Sequence, residues 1–85
     1  MEMLKEKLRD IADVLYSGNT SLGMARMGEV IADLANVGTG ITDEDIRNRY
    51  IKDGLGQALI AMETNDGTLL ADVISYELIE IIDIL

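Results

Sequence analysis

No proline interrupts this 85-residue chain, and bulky apolar side chains recur at three- and four-residue intervals through most of its length. Proline removes a backbone donor and breaks helices from within. Its absence, combined with that spacing, points to amphipathic helices. Turn residues divide the pattern at Ser17-Gly18-Asn19, Gly38-Thr39-Gly40 and Thr64-Asn65-Asp66-Gly67. The spacing predicts helices over 2–16, 20–37, 43–63 and 68–84. Four helices of similar length with short connections imply an all-α, up-down-up-down four-helix bundle made of two helical hairpins, in a single domain over 1–85.

In the first helix Leu4, Leu8, Ile11, Ala12 and Leu15 share one side, and Glu2, Lys5, Glu6, Arg9, Asp10 and Asp13 take the other. Gly18 suits the left-handed turn that follows a helix end. Asn19, or a hydroxyl after it, can cap the second helix. There the polar residues Arg26, Glu29, Asp33 and Asn36 form one narrow stripe. Beside it run a bulky row, Met24, Met27, Ile31 and Leu34, and a small row, Ala25, Gly28, Ala32 and Ala35, both expected in the core. Met62 is likewise expected to fill core rather than form an adaptable binding surface.

Thr42 is the expected cap of the third helix, and Asp43, Glu44 and Asp45 suit the positive end of its dipole. Ile46, Ile51, Leu55, Leu59 and Met62 are expected to point inward. Gly54 and Gly56 in the helix interior each cost about 1 kcal/mol relative to alanine, which close helix–helix contact would explain. The fourth helix has a wide apolar surface from Leu69 to Leu85, edged by Asp72, Tyr76, Glu77, Glu80 and Asp83. Setting Asn19 on Asp66 superposes Leu22 on Leu69, Met27 on Ile74, Ile31 on Leu78 and Leu34 on Ile81. The two hairpins therefore share a pattern.

Several kinds of chemistry are excluded by composition. The chain has no cysteine and no histidine, so disulfides, thiolate or imidazole metal sites and serine–histidine or cysteine–histidine catalysis are absent. Gly38-Thr39-Gly40 lacks the lysine and preceding strand of a phosphate loop. Asp43, Glu44 and Asp45 lack the spacing of a calcium loop. Asp72 with Tyr76, or Glu80 with Asp83, would be neighbours on one helix face, but nothing nearby suggests a shielded pocket. The expectation is a protein that is not an enzyme, with no catalytic residue, cofactor or metal. The amino terminus opens as a charged helix rather than a signal peptide. No apolar run approaches the roughly 20 residues of a membrane span, so the expected location is the cytoplasm, away from membranes.

The formal net charge is -9, from sixteen acids and seven bases. From Asp53 onward there are acids only: Asp53, Glu63, Asp66, Asp72, Glu77, Glu80 and Asp83. Direct binding to nucleic acid is disfavoured, because it requires lysine and arginine on the phosphates. Helices 2 and 4 carry more apolar surface than a chain this small should hide. That excess predicts a protein-binding module that self-associates, as a two-fold homodimer. The expected interface is Met24, Met27, Ile31, Leu34, Leu70, Ile74, Leu78 and Ile81. A different function would follow from the acidic face Asp72, Glu77, Glu80 and Asp83: a decoy or inhibitor occupying a basic, nucleic-acid-binding protein.

The stretch from Gly56 to Leu78, through Leu69-Leu70-Ala71-Asp72 and Tyr76-Glu77-Leu78, resembles a group of small, acidic, uncharacterised helical-bundle proteins of Firmicutes. The resemblance covers about half the chain and implies a bacterial source. The second helix departs from the group's pattern, because small residues stand where bulkier ones are usual. More loosely, the acidic helical hairpins are similar to flagellar export chaperones, small bundles that hold partner chains. That likeness implies a chaperone-like activity toward an amphipathic helix of a client.

Overall fold

The computed structural model describes residues 2–85. It is helical throughout apart from short turns, with no strand among the described residues. Helix α1 is Glu2–Tyr16 and α2 is Thr20–Thr39. Helix α3 covers 44–63 and runs without a break from an α segment, Glu44–Arg49, through a π-helical stretch, Tyr50–Gly56, into a second α segment, Gln57–Glu63. Helix α4 covers 67–84 and is built the same way, with its π stretch at Ile74–Leu78. The expected bundle of two helical hairpins is what forms.

The turns close as side-chain chemistry dictates. Gly18 takes φ 93° after α1, and the Asn19 side chain accepts from the Leu22 amide at 3.4 Å to cap α2. At the matching position of the second hairpin, Asp66 caps α4 by accepting from the Leu69 amide at 3.0 Å. The cap of α3 is Asp43, which accepts from the Ile46 amide at 3.0 Å, and not the expected Thr42. A carboxylate there serves as both hydrogen-bond acceptor and countercharge to the helix dipole. Helix α2 also passes through Gly38 to Thr39 instead of stopping near Val37.

Packing proceeds around a ring. Helix α1 contacts α2 and α4, α3 lies along α4, and α2 meets α3 at the π stretch. Gly23, Met27, Val30, Leu34 and Gly38 form the buried line of α2. The small row Ala25, Gly28, Ala32 and Ala35 faces solvent, contrary to expectation. Alanine and glycine have little apolar area to gain from burial, so the bulky line determines how the helix turns.

Helix α3 is rotated from its expected orientation. Tyr50, Gly54, Ala58 and Ala61 point inward, whereas Ile51 and Leu59 lie outside and Ile46, Leu55 and Met62 are half-buried. A π turn holds more residues than an α turn and resets the facing of everything after it. Small residues on this inner side bring α3 close to α4: a Cβ on Gly54 would lie 2.8 Å from Leu78 Cδ2. Tyr50 fills the seam between α2 and α3. Its ring lies where a Cβ on Gly38 would meet Cε2 at 3.3 Å, and its hydroxyl donates to the Leu34 carbonyl oxygen at 2.7 Å.

Candidate functional site

The residues expected to form an interface are mostly unavailable to a partner. Met27, Leu34, Leu70, Ile74, Leu78 and Ile81 are each 0% exposed within the single chain. Only Met24 and Ile31 keep part of their surface. Helix α4 hides its wide apolar surface because it packs against α1 on one side and α3 on the other. One chain therefore buries most of the bulky apolar side chains of α2 and α4, and leaves Ile84 and Leu85 exposed.

The acidic edge of α4 is also engaged. Tyr16 Oη donates to Asp72 Oδ1 at 2.7 Å. Arg49 Nε donates to Glu77 Oε2 at 2.9 Å, and its Nη2 lies 3.6 Å from Glu80 Oε2. Lys5 reaches Asp83 across the bundle and Glu2 one turn away at 2.9 Å. The hydrogen bond from Lys5 holds the carboxyls of Asp83 and Glu2 below their ordinary values. Asp83, followed by Glu2, holds the Lys5 ammonium above its own, and the bond to Glu77 does the same for Arg49. The bond to Asp72 likewise raises the Tyr16 phenol. A basic partner would have to displace Lys5 and Arg49 before meeting Glu77, Glu80 and Asp83, and the Tyr16 hydroxyl before meeting Asp72.

A depressed carboxyl favours folding above its unfolded value, near 4, and that contribution is lost as pH falls through the folded value. Lys5→Met is therefore expected to make acid destabilisation shallower below about pH 4. Thermal melts of both proteins across pH 2–6 check this, and parallel curves would contradict it.

Exposed apolar side chains lie at Met3, Leu22, Tyr76, Ile84 and Leu85 and along one side of α3. On the outer side of α3, Ile51 is 49%, Leu59 47% and Ile60 48% exposed. Lys52 and Glu63 are exposed on the same helix. Sequence reasoning placed Ile51 and Leu59 inside and overlooked Tyr50. The available signal was the line Tyr50, Gly54, Ala58 and Ala61, at four-, four- and three-residue spacing, which marks a close-packed inner face.

Two depressions mark the surface. One lies between α1 and α2, with Lys7, Asp10, Arg26 and Glu29 around Ile11 and Val30. The other sits at one end of the bundle, among Val37, Ile41, Ile46, Ile84 and Leu85. Among the described residues, no buried side-chain polar atom lacks a hydrogen bond, and no cluster of acids is placed to hold a metal ion. No described helix is long and apolar enough to cross a membrane. Comparison of the chain with family models, curated proteins and solved structures found no match to any of them.

Proposed function

We propose that this protein is a non-enzymatic protein-binding and assembly module that self-associates, with the outer side of α3 as its contact surface. One observation carries the reading: Ile51, Leu59 and Ile60 stand about half exposed on one helix that no other helix covers from outside. Grouped apolar side chains left open on a surface mark contact sites more often than isolated ones do. In a chaperone-like form of the same activity, this side of α3 would receive an amphipathic helix from a client. The net charge of -9 keeps the rest of the surface soluble.

Absolute mass by light scattering over a wide concentration range tests the reading. Wild type is expected to reach twice the chain mass as concentration rises. Leu59→Asp is expected to remain monomeric, with a melting temperature close to wild type because the site is open to solvent. A wild-type monomer at every concentration would overturn the proposal, as would a dimer indifferent to Leu59→Asp.

A further inference from the structure

Lys52 and Glu63 lie eleven residues apart on α3 and flank the exposed Leu59 and Ile60, with the exposed Ile51 just before Lys52. Both are exposed, whereas Tyr50, Gly54, Ala58 and Ala61 of the same helix are buried, so both belong to its outward side. Among the described residues, the ion pairs within the chain are made by Lys5 and Arg49. Lys52 and Glu63 take no part in them. The outer side of α3 thus has an unpaired positive charge at Lys52 and an unpaired negative charge at Glu63, with the exposed Leu59 and Ile60 and the half-buried Leu55 and Gly56 between them.

A pattern of that kind is complementary to itself when reversed. We infer that the occupant of this face is a second copy of the same chain, its α3 antiparallel to the first, with Lys52 of each copy paired to Glu63 of the other. This rests on the reading of α3 as the contact surface and adds the partner and its register. Turning α3 about a two-fold axis between Gln57 and Ala58 places Lys52 opposite Glu63, Leu55 opposite Ile60 and Gly56 opposite Leu59. Each contact then occurs twice, as an isologous interface requires.

The distribution of charge favours the same face. Two copies of net charge -9 repel each other over most of their surfaces. The stretch from Arg47 to Glu63 carries Arg47, Arg49 and Lys52 against Asp53 and Glu63. Arg49 is held by Glu77 and Glu80 and Arg47 donates to the Ile41 carbonyl oxygen, so Lys52 is the base this stretch offers to a second copy.

Charge reversal at the two ends tests the register. Lys52→Glu and Glu63→Lys are each expected to weaken dimerisation about tenfold or more, since like charges then face each other twice. Mixing the two variants is expected to restore a dimer of one copy of each, and the double variant Lys52→Glu/Glu63→Lys should dimerise by itself. Light scattering and native mass spectrometry measure these outcomes, and circular dichroism confirms that each variant is folded. Glu63→Lys is the discriminating case. It makes the chain less acidic, so relief of general repulsion would strengthen association, whereas loss of the proposed pair weakens it. If the single variants dimerise like wild type, or the mixture stays monomeric, the antiparallel pairing is wrong. Loss of the dimer in Leu59→Asp would in that case still leave α3 as the contact surface. A wild-type chain that remains monomeric would overturn both.

Discussion

Ile74→Asp is expected to unfold the chain, and not merely to separate two copies of it. Ile74 is 0% exposed and belongs to the central apolar cluster. Truncating a buried isoleucine alone costs about 2–5 kcal/mol, and an unpaired carboxylate in its place adds several kcal/mol of desolvation. A domain of 85 residues has roughly 4–13 kcal/mol in total, at about 0.05–0.15 kcal/mol per residue. The combined cost matches the whole stability of the fold. Far-UV circular dichroism at neutral pH should show most of the helix signal lost. Part of it should return in mild acid, where the buried carboxyl takes up a proton. A folded, monomeric Ile74→Asp protein would show that position 74 lies at an interface and that its burial in one chain is wrong.

Tyr50 carries the second large effect. Its side chain is 0% exposed, the largest of the fully buried side chains. Tyr50→Ala is expected to lose about 3–5 kcal/mol, as aromatic truncations in cores do. Tyr50→Phe keeps the ring and removes only the donor to the Leu34 carbonyl oxygen, at a cost of about 1 kcal/mol. Urea denaturation separates the two, and equal losses would mean that the hydrogen bond matters more than the packing.

Alkaline titration gives an independent measure of the same residue. Burial raises the Tyr50 phenol well above its ordinary value, which is near 10. The folded state then favours the neutral phenol. Stability from that preference is intact below about pH 10 and is lost as pH rises toward the folded value. Wild type should weaken steeply above that point, whereas Tyr50→Phe, starting lower, should decline less. An identical alkaline decline in both proteins would rule out Tyr50 as its source.

The parts legible from sequence were those controlled by local chemistry. Asn19 and Asp66, matched by the internal offset, both cap their helices, because a short polar side chain before an apolar run has one favourable use there. The inward side of α1, Leu8, Ile11, Ala12 and Leu15, also follows its spacing. The rest depended on contacts between distant residues. Nothing near Ile51 or Leu59 announces the π turn that sends them outward. The acidic edge of α4 looked open because its partners, Lys5 and Arg49, lie on other helices. Most residues of the interface drawn on α2 and α4 are buried within the chain, because apolar width was judged one helix at a time. Burial is decided by how many neighbours a helix has, and α4 has one on each side.

The two π turns, Tyr50–Gly56 and Ile74–Leu78, lie against each other across the α3–α4 seam, and this restricts how the chain can vary in length. A π stretch can lose a residue by closing as an α turn, but deleting one from the α segment that follows would turn everything beyond it by roughly 100°. In α3 that would carry Ala58 and Ala61 off the seam and change which side chains meet solvent. The connections after Tyr16 and Glu63 carry no such register and can absorb insertions. Related chains with this packing would accordingly differ in length at the turns, or by one residue at a π stretch, and keep the spacing within the flanking α segments unchanged.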